Sequence, residues 1–433
     1  MAEGGRRFEG LTTEQKRALA EKILREKQSR TIPAAPAGFA FPPEYRELLR
    51  RFQTAGGDGI GDLFFQSCDG LNDAHAEIGG RRYLNFCSYN YLGMSGDPRV
   101  SAAAKEAIDR YGTSVSASRL VSGERPLHRA LERGLAEWIG AEDALVFVGG
   151  FSTNENAIGH LMGPGDLIVY DSLIHASVQQ GAKLSRAAVA PFPHNNPEAL
   201  DNILKRRRGE ARQVLVVLEG VYSMDGDIPD LPRFIEIKKR HNALLMVDEA
   251  HSMGVLGATG RGIGEYFGAA PGDVDLWMGT LSKSLASCGG YIAGSADVVE
   301  YLRLTAPGFV YSVGLSPADT AAALASLEVL KSESERVSVL RARARSFVER
   351  ARAAGLDTGP SRDSAVVPVM VGATDRAIAL SRALMERGIL VLPIGYPAVP
   401  ENTARLRFFI SFTHREDEID EAVATTGECL ARL

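Results

Sequence analysis

Lys283 lies in a stretch of small and hydroxylated residues, "MGTLSKSLASCGGYIAGS" (278–295). It is the only lysine between His241 and Leu330, and its small neighbours leave open space beside it. A lysine that is desolvated in a pocket has a lowered pKa and can act as an amine nucleophile toward an aldehyde. The stretch therefore predicts a pocket that contains a reactive amine.

Four other segments with candidate functional residues follow predicted strands. They contain Gly149 and Gly150, then His175, then Glu219 with Ser223, and then Asp248 with His251. Taken singly, each is a weak signal, because Gly-Gly turns are common and a lone histidine is more often structural than functional. Glycine amides at a helix N-terminus can bind a phosphate, however, and a carboxylate at a buried strand end needs a cationic or hydrogen-bonding partner.

The five segments together fit one cofactor. In open α/β sheets, ligands bind at the carboxyl ends of the strands. Pyridoxal phosphate needs a lysine for a Schiff base, a carboxylate at its pyridine nitrogen, and amides or hydroxyls around its phosphate. The sequence therefore predicts a pyridoxal-phosphate site at this edge of a sheet.

Rival motifs lack the residues that their chemistry needs. "DEAH" (248–251) is also a helicase motif, but the chain has no Gly-Lys dipeptide for the phosphate loop that must accompany it. "GATGRGIG" (257–264) has the wrong spacing for a dinucleotide fingerprint, and no G-x-S-x-G elbow of a hydrolase occurs. None of the eight histidines pairs at i, i+4, so no metal site is predicted.

The elements that must position these residues alternate between strands and helices. Apolar runs predict strands at 144–150, 166–171, 213–220, 243–251 and 275–283, and helical patterns such as 231–241 lie between them. Several runs are apolar on both faces, as buried parallel strands are. The alternation indicates an α/β fold with helices on both faces of a sheet.

The pattern differs at both ends of the chain. After Pro317, helices at 318–332, about 336–355 and 375–387, strands at 365–371 and 404–412, and a final helix opened by Thr413 and Glu416 predict a smaller α+β domain. Near the start, a charged helix over 11–30 is followed by a linker with four prolines over 31–43. This arrangement resembles the segments that join polyketide and nonribosomal peptide modules, or a surface arm that packs on a subunit. We therefore predict an N-terminal helix, linker and arm over 1–82, a large cofactor-binding domain over 83–315 and a small domain over 316–433.

Composition and charge favour a cytoplasmic globular protein. Hydrophobic residues make up 45% and charged residues 24%, and a net charge of −5 gives no indication of nucleic-acid binding. No apolar stretch is long enough for a transmembrane helix, and the N-terminus lacks the apolar core of a signal peptide. The four scattered cysteines are expected to be reduced thiols.

From about Tyr83 to the C-terminus, the chain resembles the α-oxoamine synthase family of fold-type I pyridoxal-phosphate enzymes. The motifs are "NFCSYNYLGMS", "GGFSTN", "DSLIHAS", "EGVYSMDGD", "VDEAHSMGVLGATGRG", "GTLSKSLAS-GGY" and "ARLRFFISFTH". Within the family they are most similar to serine palmitoyltransferase and 8-amino-7-oxononanoate synthase, with a polyketide-associated member as a further option. The resemblance implies a large domain with a mostly parallel seven-stranded sheet, a smaller C-terminal α+β domain, and a homodimer with shared active sites.

The resemblance also implies roles for individual residues. Lys283 would form the Schiff base and act as general base, and Asp248 would pair with the pyridinium nitrogen. The other residues implied to contact cofactor or substrate are His251 at the phenolic oxygen, His175 on the ring face, Gly150, Phe151 and Thr280 at the phosphate, Ser223 and Glu219 in the pocket wall, Arg407 at the substrate carboxylate, and Asn90, which would contact substrate across the dimer interface.

Two positions depart from the family pattern. Tyr89 stands where several relatives carry asparagine, and Val313 stands where relatives often carry a threonine that reaches the partner subunit's phosphate. Ser312 is the neighbouring hydroxyl. Because Val313 has no hydroxyl, the contact with the partner subunit's phosphate is not predicted for this residue.

The resemblance implies a decarboxylative Claisen-type condensation. An amino acid (serine, alanine or glycine) and an acyl thioester, carried on CoA or on an acyl-carrier protein, would give an α-aminoketone, CO₂ and a free thiol. Another fold-type I reaction, such as aminotransfer or aldol cleavage, is the alternative within this cofactor class. A non-catalytic regulatory or scaffolding subunit is the alternative outside it, and the presence of Lys283, Asp248, His175 and His251 together disfavours that reading.

Overall fold

The computed structural model describes residues 63–433, together with residues 39, 41–43, 45, 46, 49 and 50. The chain divides into two compact units, residues 1–60 and 61–433. The predicted helix over 11–30 and most of the linker over 31–43 lie outside the described residues. The description below concerns the second unit.

A seven-stranded sheet forms the centre of this unit. Three strands precede it in the chain: β1 (Cys68–Asp69), β2 (His75–Ile78) and β3 (Arg81–Asn85). The sheet itself contains β4 (Asp143–Phe147), β5 (Leu167–Asp171), β6 (Ala188–Phe192), β7 (Val214–Glu219), β8 (Leu244–Asp248), β9 (Leu276–Thr280) and β10 (Gly290–Gly294). Their order is β4-β10-β9-β8-β7-β5-β6, and β10 runs antiparallel to both of its neighbours. The expected mostly parallel, seven-stranded sheet is confirmed.

The remaining strands form two small sheets with β11 (Val366–Gly372), β12 (Ile389–Leu390), β13 (Pro393–Ile394) and β14 (Ala404–Phe409). One sheet has the order β11-β14-β13, and the other has the order β1-β2-β3-β12. The first of these is the sheet of the predicted α+β region after Pro317. The exact domain boundaries stay a prediction.

Helices connect and cover the strands. In chain order they are α1 (Pro98–Tyr111), α2 (Pro126–Ile139), α3 (Gly150–Leu161), α4 (Ala176–Ser185), α5 (Pro197–Arg207), α6 (Leu231–Arg240), α7 (Ile263–Phe267), α8 (Ala296–Thr305), α9 (Pro307–Val310), α10 (Pro317–Ser332), α11 (Glu335–Ala353), α12 (Thr374–Glu386) and α13 (Glu416–Ala431). Over the described part of the chain, no helix is both long and apolar enough to cross a membrane.

Burial explains why these strands were predictable. Every residue of β7 is buried, and the sheet carries apolar side chains on both faces into two core clusters. α6 has Pro232 in its first turn and basic residues in its last turn, which suits the helix dipole. A buried strand followed by a helix with these end residues therefore leaves a recognisable pattern in the sequence.

Several strands and one helix start differ from the prediction. The short strands β1, β2, β3, β12 and β13 are not among the predicted ones, nor are β6 and β10 of the central sheet, where Gly290 and Gly294 give β10 little apolar signal. Gly290 is needed for packing, since a Cβ there would lie 2.8 Å from the Cα of Gly150. Thr413 does not open the last helix: its hydroxyl donates to Asp73, and the amide of Arg415 donates to Glu418 instead, at 2.8 Å.

Candidate active site

A cavity of about 80 Å³ lies at the carboxyl ends of the central strands. Its lining includes these predicted residues: Gly150, Phe151, His175, Glu219, Asp248, His251, Thr280 and Lys283. Four strand ends, those of β4, β7, β8 and β9, and the N-terminal turns of α3 and α4 supply them. The topology thus brings together residues that are more than a hundred positions apart in the chain.

Lys283 lies three residues beyond β9, at the start of a loop rather than in the strand that the sequence predicted. Burial lowers the pKa of its amine below the usual value, although the nearby carboxylates of Asp248 and Glu219 act in the opposite direction. A lowered pKa makes a larger share of the amine neutral and nucleophilic at a given pH. The environment therefore suits the reactive lysine that the sequence predicts.

Asp248 ends β8 and is 4% exposed. Its carboxylate accepts hydrogen bonds from the amide of Ala250 at 3.0 Å and from the side chain of Asn154 at 2.8 Å. Both donors are neutral, so the negative charge has no cation in hydrogen-bonding contact among the described residues. A buried carboxylate in this state is suited to a cationic ligand atom, such as a protonated pyridine nitrogen.

Asn154 and Ser177 connect Asp248 to His175, and the sequence analysis did not single them out. The Asn154 amide donates to Ser177 Oγ at 2.9 Å as well as to Asp248. Ser177 in turn contacts His175 Nδ1 through its hydroxyl at 2.7 Å and its backbone amide at 3.3 Å. This contact leaves the ring proton on Nε2, and burial lowers the pKa of His175 so that the ring is neutral. The signal available in the sequence was the spacing: an asparagine four residues after Gly150 lies on the same face of α3 as that glycine.

The side-chain oxygen of Asn154 is a further polar group without a partner in the described part of the chain. Asn154 Oδ1 is buried and accepts no hydrogen bond from the described residues. Buried polar atoms are rarely left unpaired, and Asn154 itself lines the cavity. This atom and the unpaired charge of Asp248 are what a polar ring ligand would satisfy, so the residues present fit the expected cofactor.

His251 lies on the other side of the cavity. Its Nδ1 is 2.8 Å from the hydroxyl of Tyr91, and its ring is nearly parallel to that of Phe409, with 6.2 Å between centroids. Burial lowers its pKa well below the usual value, and the charges of Lys283 and Arg407 add to the effect. His251 is therefore a neutral hydrogen-bonding group in a fixed orientation.

The N-terminus of α3 and Thr280 form a close contact suited to a phosphate. A Cβ on Gly150 would lie 2.7 Å from Thr280 Oγ1, so only a glycine lets the backbone come this near. Thr280 Oγ1 accepts from the amide of Ser282 at 3.2 Å and donates to the carbonyl of Gly289 at 3.0 Å. The first-turn amides of a helix of this length carry a partial positive charge that favours an anion.

Arg407 and Ser223 lie beside the cavity rather than in its lining. Arg407 Nη1 donates to the carbonyl of Ser223 at 2.8 Å, and its guanidinium stacks over Phe409 at 4.6 Å. Arg405, two residues earlier on β14, is paired with Asp225. Arg407 has no carboxylate partner within the described part of the chain, so it is the arginine left to bind an external carboxylate.

The structure does not bring Asn90 into the cavity. Asn90 is 6% exposed, and its Oδ1 accepts from the amide of Ser95 at 3.1 Å, which fixes a turn. Its neighbour Tyr89 faces the site instead, with its ring centroid 5.7 Å from Lys283 Nζ. Within its own chain, the motif "SYNY" therefore approaches Lys283 through Tyr89, the residue that departs from the family, and the predicted contact of Asn90 across the dimer interface stays a prediction.

Comparison with known proteins identifies the family of the chain. A family model described as aminotransferase class I and II matches residues 81–425. The chain is 45% identical over 348 residues to an 8-amino-7-oxononanoate synthase of Geobacter sulfurreducens, covering 80% of this chain and 88% of that one. The protein belongs to the aminotransferase class I and II family, in its α-oxoamine synthase group.

Solved structures give the same assignment. A variant of serine palmitoyltransferase from S. paucimobilis with a bound pyridoxal phosphate–myriocin aldimine superposes with a TM-score of 0.86 at 32% identity, covering 90% of this chain and 99% of that one. An 8-amino-7-oxononanoate synthase from Francisella tularensis superposes with a TM-score of 0.70 at 27% identity, covering 80% and 97%. The predicted family and fold-type I architecture are confirmed.

Proposed function

We propose that this α-oxoamine synthase uses pyridoxal phosphate to condense an amino acid with an acyl thioester. The products are an α-aminoketone, CO₂ and a free thiol. One observation carries the proposal: the lysine, the unpaired aspartate, both histidines and the glycine-threonine contact line one cavity. The named relatives, serine palmitoyltransferase and 8-amino-7-oxononanoate synthase, support the same reaction class.

Each of these residues has a defined part in holding the cofactor. Lys283 would bind its aldehyde carbon, Asp248 its pyridine nitrogen, and His251 its phenolic oxygen. The amides of Gly150 and Phe151 and the hydroxyl of Thr280 would hold its phosphate. When bound, pyridoxal phosphate supplies an electron sink that stabilises negative charge at the Cα of an attached amino acid.

Lys283 is also the base. Its Nζ would accept the proton from the Cα of the bound amino acid, and burial lowers the pKa of this amine, which increases the share that is unprotonated and able to do so. Asp248, whose hydrogen-bond donors are both neutral, would pair with the ring nitrogen of the cofactor. His175, whose pKa burial lowers, would lie against the ring as a neutral group and add no charge that competes with Asp248.

Arg407 binds the carboxylate of the amino acid. Its guanidinium is held by the carbonyl of Ser223 and the ring of Phe409, and neither neutralises it. A guanidinium presents paired N–H donors that match a carboxylate. Tyr89, across from Lys283, limits the space for the amino-acid side chain and the acyl group.

The active protein is a homodimer with its two sites at the subunit interface. Large apolar side chains are exposed: Phe151 in the cavity wall is 47% exposed, and Leu173, two residues before His175, is 42% exposed. Val121 and Tyr311, on two further segments, are 80% and 86% exposed. The amide of Gly314 donates to the carbonyl of Ala117 at 3.1 Å, which places the 311–314 and 117–121 segments side by side. Exposed apolar patches of this kind are typical of protein interfaces.

A two-way screen tests the proposal and identifies the substrates. The purified protein, loaded with pyridoxal phosphate, is mixed with serine, alanine or glycine and with acyl-CoA or acyl-carrier-protein thioesters of several chain lengths. Mass spectrometry is expected to find an α-aminoketone for one amino acid with one donor class. Transfer of the amino group to a keto acid without any thioester would favour aminotransfer and contradict the proposal.

A further inference from the structure

His194 lies between two buried carboxylates outside the cavity lining. Its Nδ1 is 2.9 Å from Asp171 Oδ1, and its Nε2 is 2.9 Å from Asp227 Oδ2. Asp171 is 0% and Asp227 6% exposed. The next residue, Asn195, hydrogen-bonds the same two carboxylates through its backbone and its side chain.

The ring of His194 carries a positive charge at neutral pH. Burial opposes the charged form, but the hydrogen bonds and negative charges of Asp171 and Asp227 outweigh burial and raise the pKa of His194 to about 10. Both ring nitrogens then donate, one to each carboxylate. Without this cation, neither buried carboxylate would have a positively charged partner within ion-pair distance in the described part of the chain.

The two carboxylates belong to different parts of the site. Asp171 ends β5 and also accepts the amide of Leu173, in the loop that leads to His175. Asp227 lies in the turn over 221–228 that connects β7 to α6. His194 thus ties the loop of the stacking histidine to this turn.

The same turn also contacts β14 of the small sheet, which carries Arg407, the arginine proposed to bind the substrate carboxylate. Ser223 accepts from Arg407, and Asp225 pairs with Arg405, both on β14. Gly226 has φ +66°, and any side chain on it would overlap the carbonyl oxygen of Val366 on β11. These contacts fix the path of the turn between the large and the small sheet. Because the carbonyl of Ser223 in this turn holds Arg407, the position of the turn determines the direction of the guanidinium.

We propose that His194 is a positioning residue, which fixes the 221–228 turn between Asp171 and β14 and thereby aims Arg407 at the substrate carboxylate. The inference rests on the role of Arg407 proposed above. Replacing the imidazolium by a neutral group leaves Asp227 without its charged partner and lets the turn shift. Paired hydrogen bonds between a guanidinium and a carboxylate depend steeply on their geometry, so amino-acid binding is expected to weaken about tenfold or more.

The test compares His194→Gln with His241→Gln in the full-length protein loaded with pyridoxal phosphate. His241 is a matched control, because its Nε2 makes a similar bond to Asp201, at 2.7 Å, between α5 and the end of α6. The amino-acid Kd is measured from the change in cofactor absorbance on titration, and cofactor affinity is measured separately. We expect His194→Gln alone to raise the amino-acid Kd, with cofactor affinity within twofold of the wild type.

The inference fails if His194→Gln leaves the amino-acid Kd unchanged, or if His241→Gln raises it equally. Asp227→Asn provides a second variant that keeps the shape of the turn, and it should act in the same direction. Ring-labelled histidine NMR of the wild type should show His194 doubly protonated at pH 8, and a neutral ring there would also overturn the inference.

A third comparison separates this inference from the proposed function. In an Arg407→Ala background, His194→Gln should have no further effect on the amino-acid Kd. An equal effect in both backgrounds would show that His194 acts by another route, and it would leave the role of Arg407 intact. If Arg407→Ala alone does not change the Kd, the proposed carboxylate site itself is wrong.

Discussion

At the scale of single residues, the site depends on charges that are not neutralised. Asp248 is bonded only to neutral donors, and Arg407 is held by a carbonyl and an aromatic ring. Arg405, Arg119 and Arg212, in contrast, are paired with carboxylates in the same structure. The unpaired groups are therefore the ones available to ligands, and their locations agree with the proposed cofactor and substrate positions.

Asp248→Asn tests the residue that controls the electron sink. The neutral amide keeps the shape but cannot hold a proton on the ring nitrogen, so turnover should fall by about a hundredfold or more. The cofactor should stay attached to Lys283, because the phosphate contacts remain. Turnover and the absorbance of the lysine-bound cofactor measure the two effects, and full turnover would contradict the role of Asp248.

His194 gives a pH dependence of stability with a definite sign. Its pKa is raised in the folded protein to about 10 from 6.5, so its stabilising contribution is complete below about pH 6.5 and is lost as the pH rises through 10. The gap in free energy of unfolding between wild type and His194→Gln should therefore shrink from pH 6.5 to 10. Chemical denaturation across this range measures the gap, and a gap that grows with pH would contradict the charged bridge.

At the scale of elements, strand ends and helix starts determine the site. The carboxyl ends of β4, β7, β8 and β9 and the first turn of α3 lie around one cavity. Gly150 begins α3, and Gly290 in β10 lets that helix approach the sheet. The close contact of α3 with Thr280 is thus a consequence of two small residues from distant parts of the sequence.

Gly150→Ala should weaken cofactor binding more than folding. The added methyl group would press on Thr280 Oγ1 in the phosphate contact, so the cofactor Kd should rise by roughly tenfold, which corresponds to a loss of 1.4 kcal/mol. Gly163→Ala, at an open position just after α3, is the control and should leave the Kd unchanged. An unchanged Kd for Gly150→Ala would show that the phosphate binds elsewhere.

The sequence predicted some elements and residues better than others, for physical reasons. Apolar runs such as Val214–Glu219 identify buried strands, and the residues that follow them identify most of the cavity lining. Contacts between distant segments leave no such local pattern. Asn154 and Ser177 were missed because their importance lies in a link to Asp248. The contact of Asn90 across a dimer interface stays a prediction, because it depends on a second subunit.

At the scale of the whole molecule, the exposed apolar residues Phe151, Leu173, Val121 and Tyr311 predict a dimer. The wild type should have twice the chain mass of 46.5 kDa in solution. Tyr311→Asp, at a residue that is 86% exposed, should shift the protein toward monomer and weaken turnover, because a charge in an apolar interface is costly. Light scattering after size exclusion measures the mass, with Leu433→Asp as the control. A stable dimer with full turnover in Tyr311→Asp would contradict this interface.

The most direct test of the proposed reaction is CO₂ release from an amino acid labelled in its carboxyl carbon. The account predicts labelled CO₂ only when the amino acid and an acyl thioester are both present, in amounts equal to the free thiol formed. It also predicts none with Lys283→Ala, which lacks the base. CO₂ release that does not depend on the thioester, or thiol release without CO₂, would contradict a decarboxylative condensation.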